Sequence, residues 1–509
     1  MATYRLRLQL DASSLLPLQA ALLGIAHTLA FAPWNLWWLQ LVALAGLFAV
    51  SARAVTPRQA AAIGFAFGLG WFGAGVWWVF ISMHVYGEMW AWLAALATLA
   101  FVALLAIFPA VALYLAHRLV PAATVRMLIG LPAAWAGMEW VRGVAFTGFP
   151  WLASGYAHTD GPLAGFAPVI GAYGITLAAA LAAGAIVTVL RFRYAPRAVY
   201  IAFALVAGLL VGGAVLADHE WTQPSGSPIK VRLVQGNVPQ NLKFGRDSLQ
   251  RAHDANFVPL LQPGEFQLAA LPESVYPVPL DYLPDPVWRD FESITRARNA
   301  ALVFGIFIEE RGQFYNSAIG LAPSAAPQRY RKRHLVPFGE FIPPGFRWFV
   351  DLMKMPIGDQ ERGAPHQPPM ELAGQRVAVN ICFEDLFGGE IIQAFADPAR
   401  APTILLNLSN LAWFGDSIAL PQHLQISRMR ALETGRPMLR ATNTGATAII
   451  DARGNVVAQL PYLTAGVLDG TVQGHAGTTP FIENGNVPAL ALIGALLAIG
   501  VLTGRRFVQ

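Results

Sequence analysis

The 509-residue chain is 55% hydrophobic and only 13% charged, with a net charge of +5 and a mean hydropathy of +0.47. Soluble domains carry about 25% charged residues, so this composition is that of a membrane protein. The excess arginines sit in short loops between apolar runs, where they orient spans rather than bind nucleic acid.

Apolar stretches of span length lie near 12–31, 35–52, 59–82, 89–116, 124–141, 165–190, 197–217 and 487–504. Each is near or above the roughly 18–20 residues that cross a bilayer core. The first carries Ala30-Phe31-Ala32, a small-residue string suited to signal cleavage. The unbroken series of spans behind it fits an uncleaved helix better. The fifth is interrupted by Pro132, Glu139 and Arg142. Glu139 and Arg142 are expensive at membrane depth. One turn apart, they are expected to form a structural ion pair, with a phospholipid headgroup contact as the alternative. Phe146–Trp151 reads as an interfacial anchor loop. His27 and His84 have no partners at metal-ligand spacing.

Arg5 and Arg7, Arg53 and Arg58, Arg118 and Arg126, Arg191, Arg193 and Arg197, and Arg505 and Arg506 fall in alternate loops. With eight spans they all share one side, which the positive-inside rule makes cytoplasmic. Both termini are then cytoplasmic. Residues 1–217 form a seven-helix domain, 218–486 an outer domain, and 487–509 a last helix with its tail.

The outer block holds most of the Pro-rich loops and nearly all the acidic residues. Strands are expected at Lys230–Gln235, Gln267–Leu271, Ala301–Ile308, Asn316–Leu321, Val377–Cys382, Thr403–Leu408 and Thr447–Ile450. Helices are expected at Asp285–Asn299, Gly389–Ala396 and Pro421–Glu433. This alternation indicates α/β.

Cys382 is the chain's one cysteine. It cannot form an internal disulfide or a multi-thiolate metal site, which leaves a small buried apolar residue or a nucleophile. Glu273 follows a strand in Leu271-Pro272-Glu273-Ser274. Lys332 and Glu340 lie in a Pro/Gly-punctuated loop, and Cys382 ends Val377–Cys382. Strand ends in α/β folds converge on one edge. There a carboxylate can take a thiol proton, while an ammonium lowers the thiol pKa and stabilises an oxyanion. Taken singly, each residue is better read as ordinary surface or core. Taken together on strand ends, they read as base, stabiliser and nucleophile.

The strings Val234-Gln235-Gly236-Asn237-Val238-Pro239-Gln240, Leu271-Pro272-Glu273, Lys332–Glu340, Cys382-Phe383-Glu384 and Asn407–Gly415 resemble the carbon–nitrogen hydrolase (nitrilase) superfamily. The resemblance is closest to its membrane-embedded branch, the apolipoprotein N-acyltransferases, and covers the whole chain. Phe244 departs from it, since the family pattern favours Trp there. The resemblance implies an α-helical polytopic bundle carrying an α-β-β-α sandwich in a bacterial inner membrane, catalytic domain outward. It implies acyl transfer from a phospholipid, typically phosphatidylethanolamine, to the α-amino group of a diacylglyceryl-modified apolipoprotein. Glu273 would be the general base, Lys332 the oxyanion stabiliser and Cys382 the nucleophile. Glu340 and Glu384 would support them, with no metal and no cofactor.

Phe346–Pro356, including Trp348, Phe349 and Met353, reads equally as an interfacial arm over the site or as a buried helix. Trp413 and Phe414 either line an acyl entrance or pack in the core. Two other readings compete. A membrane-tethered amidase for small C–N substrates needs far fewer spans. A transporter or receptor should show internal symmetry, and the sequence has none.

Overall fold

The computed structural model describes residues 15–192, 194–240, 247–345, 347 and 359–506. The expected arm with Trp348, Phe349 and Met353 lies outside the described residues, as do Arg5, Arg7, Arg193 and Phe244.

The N-terminal block is helical, and small residues let its helices touch backbone to backbone. Helix Pro57–Gly75 meets helix Ala91–Leu119 through Gly64 and Gly68. A Cβ on Gly64 would lie 2.5 Å from the Pro109 carbonyl oxygen, and one on Gly68 2.6 Å from Ala106 Cα. On its other side, Gly24 of helix Leu16–Thr28 faces the Phe67 carbonyl just as closely.

Four described helices are long and apolar enough to cross a membrane: Ala91–Leu119, Pro162–Arg191, Pro196–Asp218 and Val487–Gly504. A fifth crossing arises if Pro57–Gly75 and Val79–Tyr86, bent by 61°, count as one. The stretches expected at 12–31 and 35–52 form helices of 13 and 15 residues. At 1.5 Å per residue these reach about 20 and 22 Å, short of a core of about 30 Å. The stretch expected at 124–141 opens with a π-turn at Arg126–Gly130 and continues as helix Leu131–Val144.

Within that helix Glu139 and Arg142 are buried and 3.7 Å apart. Glu139 accepts the Ser154 N–H at 2.7 Å and also the Ser154 hydroxyl. Arg142 donates to the Phe149 and Trp151 carbonyls at 2.5 and 2.8 Å. The pair is therefore structural and fastens the 149–154 loop. That loop is less a membrane anchor than a dock. Phe146 is 86% exposed, but Trp151 is buried and donates to Gln422 Oε1 at 2.7 Å.

The block that follows helix Pro196–Asp218 is a four-layer sandwich. Its strands are β1 Thr222–Pro224, β2 Ile229–Gln235, β3 Leu268–Ala270, β4 Ala301–Glu310, β5 Gln313–Ala322, β6 Ala325–Arg331 and β7 Met370–Leu372. They continue as β8 Gln375–Ile381, β9 Ile404–Ser409, β10 Met438–Thr442, β11 Ala448–Ile450, β12 Val456–Gln459, β13 Gly466–Val472 and β14 His475–Gly477. One six-stranded sheet runs β13-β2-β3-β4-β5-β6, the other β12-β11-β10-β9-β8-β7. Pairs β2–β3, β3–β4, β8–β9 and β9–β10 are parallel. Parallel strands covered on both faces read as continuous apolar runs, as in the wholly buried β9.

The sheets face each other through Val231, Leu233 and Val303 against Val379, Leu406 and Leu439. Helices Ser248–Asn256 and Asp285–Arg298 cover the first sheet through Ala252, Phe291 and Ile294. Ile391, Phe395 and helix Ala419–Thr434 cover the second. That last helix is buried on both sides. Leu424 and Ala431 face the sheet, and Ala419, Ile426 and Met429 face the helical block. Its polar residues are satisfied across the junction: Gln425 accepts the Ala32 N–H at 3.1 Å and Glu433 the Ala172 N–H at 2.9 Å.

Candidate active site

Glu273, Lys332 and Cys382 lie just past the carboxyl ends of β3, β6 and β8. The chain after β3 keeps pairing with β4, since Leu271 and Val275 donate to Val303 and Gly305 at 2.8 Å. This holds Glu273 flat against Gly305. A Cβ there would lie 2.6 Å from Glu273 Cα, 2.7 Å from the Ser274 nitrogen and 2.8 Å from the Pro272 oxygen. These are backbone atoms and must move. Displacement of a catalytic group by 1 Å costs about 100-fold in rate. Gly305→Ala is therefore expected to lower turnover at this centre by about that factor while circular dichroism stays native. Unchanged turnover would show that the Glu273 backbone position is not critical.

Lys332 is 1% exposed and Glu273 7% exposed, so their charges must be matched internally. The Lys332 ammonium lies 2.7 Å from Glu340 Oε1 and 3.3 Å from Glu273 Oε1. Asn316 Nδ2 donates to the same two oxygens at 2.9 and 2.8 Å. The second oxygen of each carboxylate is also occupied. Glu273 accepts the Asn410 N–H at 2.8 Å, and Glu340 accepts the Val336 N–H at 2.8 Å. Burial opposes the Lys332 charge, but Glu273 and Glu340 outweigh it and hold the ammonium above its ordinary pKa.

Cys382 opens a turn with φ +52°, a left-handed conformation that costs a non-glycine residue roughly 1–2 kcal/mol. Its carbonyl is held by Asn407 Nδ2 and His423 Nε2, each at 3.2 Å. Burial and then the Glu273 charge push the thiol pKa up, against Lys332 and the Asn410 N–H. The resting sulfur is therefore a protonated thiol and needs a base.

Glu340 thus touches Lys332 directly. Glu384 does something different. It accepts from the Ile381, Arg333 and His334 N–H groups at 2.6, 2.7 and 3.2 Å and from the Tyr330 hydroxyl at 2.9 Å. It ties the cysteine turn to the lysine loop. Burial raises its carboxyl to about 7, against the opposing pull of those N–H groups. The folded value lies above the ordinary 4.5. Its stabilising contribution is therefore complete below about pH 4.5 and is lost as pH rises through 7. Glu384→Gln cannot titrate. The wild-type thermal midpoint, measured relative to this variant in detergent, is expected to fall from pH 4.5 to 7. A relative midpoint that rises over that range contradicts this role.

Three further residues support the cysteine turn from behind. Asp385 pairs with Arg440 at 2.8 Å, and Arg440 Nη2 donates to His423 Nδ1 at 2.9 Å. The other ring nitrogen of His423 then donates to the Cys382 carbonyl. The His423 ring also stacks on Trp151 of the helical block at 5.6 Å. Sequence reasoning missed Asn316, Asn410, Tyr330, Asp385, His423 and Arg440. Asn316 and Arg440 did carry a signal, as polar residues inside apolar strand runs.

Trp413 and Phe414 separate in role. Phe414 packs on Trp78 at 4.5 Å. Trp413 is 40% exposed, near Tyr86 at 6.1 Å, and its carbonyl accepts the Ser82 hydroxyl at 2.7 Å.

Residues 23–185 match the apolipoprotein N-acyltransferase N-terminal domain, and residues 230–481 match carbon-nitrogen hydrolase. An apolipoprotein N-acyltransferase of Ralstonia nicotianae is 49% identical over 495 residues, spanning 96% of this chain and 93% of that protein. Another, of Bordetella bronchiseptica, is 44% identical over 534 residues, spanning 96% and 97%. Among solved structures, the C. elegans NitFhit protein aligns at 16% identity and TM-score 0.38, covering 54% of this chain and 64% of that one.

Proposed function

The chain belongs to the apolipoprotein N-acyltransferase family, and on that premise we propose that it moves a fatty acyl chain from a phospholipid to a lipoprotein by way of a thioester on Cys382. The acceptor is the α-amino group of an N-terminal S-diacylglyceryl-cysteine. Phosphatidylethanolamine is the typical donor. The observation that carries this reading is the buried Glu273–Lys332–Glu340 cluster acting on the Cys382 thiol, on a turn packed against the membrane-type block. Phe383, next to the sulfur, lies beside Phe149.

In the first step Glu273 takes the thiol proton, and the sulfur attacks the ester carbonyl. The ammonium of Lys332 stabilises the oxyanion. Collapse breaks the C–O bond, and Glu273 returns the proton to the departing lysophospholipid oxygen. In the second step the neutral amine attacks the thioester and Glu273 takes its proton. Collapse breaks the C–S bond and restores the thiol. Both substrates are lipid-anchored, and a dry centre keeps water from the thioester.

The membrane placement follows the arginine pattern. Eight crossings put every basic loop on the cytoplasmic side of a bacterial inner membrane and the sandwich on the periplasmic side. The shorter helices Leu16–Thr28, Trp37–Ser51 and Leu131–Val144 would then complete the count beside the four long helices and the bent pair. Trp413 lies at the acyl entrance.

Intact-mass analysis of the purified protein incubated with phospholipid and no acceptor tests the reading. A gain of one acyl chain, removed by hydroxylamine, is expected. An unchanged mass under conditions where acceptor is acylated would replace the thioester with direct transfer.

A further inference from the structure

A second cavity, of about 330 Å³, lies between the helical block and the outer layers, and none of Glu273, Lys332 and Cys382 lines it. Trp140 and Tyr173 form its helical wall, and His334, Arg362, Glu390, Arg430 and Glu433 supply its charged lining. His334 is 6% exposed and Glu433 1% exposed, so neither is a surface group.

The protonation pattern of His334 follows from its partner. Nδ1 lies 3.0 Å from Glu390 Oε1, and a carboxylate only accepts, so Nδ1 carries the proton. In the neutral ring Nε2 therefore presents a lone pair, and it has no hydrogen-bond partner among the described residues. Glu390 Oε2 and Glu433 Oε2 also lack an aligned hydrogen bond. Each faces an arginine as an ion pair, Arg333 at 3.2 Å and Arg430 at 2.9 Å. Arg430 Nε and the Thr147 hydroxyl complete the unsatisfied polar atoms of the lining. Acceptors thus outnumber donors, and two of the three are anionic. A buried acceptor without a donor is costly, so the cavity is built for something that donates.

We infer that this cavity receives a primary ammonium group carried by a lipid-anchored molecule. Such a group brings three N–H donors to three acceptors and a positive charge to two carboxylates. Trp140 and Tyr173 also line the cavity, and aromatic rings of this kind attract the same charge. A phosphate would find Arg362 and Arg430, but it brings acceptors only and leaves the three acceptors without a donor. A quaternary ammonium has the charge but no donor. Two molecules carry the chemistry: a phospholipid with an ethanolamine headgroup, and a lipidated peptide with a free α-amine. The lipid setting rests on the proposed function, whereas the ammonium chemistry rests on the cavity alone.

The test uses full-length Cys382→Ala protein in detergent, where no transfer can occur, so binding is read apart from the reaction. Native mass spectrometry compares four probes. They are dioleoyl phosphatidylethanolamine, dioleoyl phosphatidylcholine, a synthetic diacylglyceryl-cysteine peptide, and its N-acetylated form. At least one amine is expected to bind tenfold or more tightly than its blocked counterpart. His334→Ala should erase that preference. Gly389→Leu should erase it too, by filling the cavity without removing a charge. A Cβ on Gly389 meets only Asn486 Nδ2, at 3.5 Å. Preference for phosphatidylethanolamine alone assigns the site to the lipid, and preference for the peptide alone assigns it to the acceptor. Equal binding of free and blocked amines, or a preference surviving both variants, overturns the inference.

Discussion

Cys382→Ala is expected to form no acyl adduct and to transfer no acyl chain, with a loss of at least about 1,000-fold, while folding and inserting as the wild type does. The first half follows from chemistry. No second thiol exists in the chain, and Glu273 and Lys332 have nothing to activate without one. The second half follows from the backbone. Cys382 holds φ +52°, and alanine pays the same left-handed cost as cysteine. The carbonyl contacts from Asn407 and His423 use backbone and survive the change. Cys382→Gly sharpens the distinction. It removes the strain as well as the sulfur, so it should raise the thermal midpoint above that of the alanine variant and be equally inactive. Transfer surviving in a well-folded alanine variant would dismiss the covalent route.

The sandwich was legible because its inner strands are buried on both faces and therefore read as unbroken apolar runs. The runs expected at Ala301–Ile308 and Thr403–Leu408 appear as β4 and β9. Strand β6, Ala325–Arg331, was not legible, since an edge strand with exposed and half-buried residues has no apolar signature. Met438–Thr442 was missed for the opposite reason: the strand is buried throughout, but the charge of Arg440 interrupts its apolar run. The three central residues could be read because each ends a strand. Supports such as Asn410 and His423 could not, because they reach the site only through sheet register and layer packing. The helical block shows the same limit. Hydropathy marks apolar stretches, but the length each helix keeps depends on where a neighbour interrupts it. Helix Pro57–Gly75 ends where the Gly75 carbonyl accepts from Trp78 Nε1 at 3.1 Å and Gln422 Nε2 at 3.4 Å. Gln422 lies in a layer remote in sequence.

Lys332→Met is expected to remove transfer and to destabilise the fold together, unlike the cysteine change. Among the described residues, the ammonium is the one full positive charge bonded to both Glu273 and Glu340. Without it two buried carboxylates face each other across Asn316, whose single Nδ2 bonds both. Removing one member of a buried ion pair costs about 3–5 kcal/mol, a large share of a typical 5–15 kcal/mol. A second change separates the two effects. Adding Glu340→Gln to Lys332→Met removes one stranded charge, so the thermal midpoint should recover in part while transfer stays absent. Lys332→Arg keeps the charge but spreads it over a planar guanidinium in a site 1% exposed. It should be more stable than the methionine variant and still fail to form the acyl adduct, because a compact ammonium is what fits between the carboxylates and the oxyanion. Adduct formation at the wild-type rate in the arginine variant would reduce Lys332 to a structural counter-charge and leave the oxyanion to backbone donors alone.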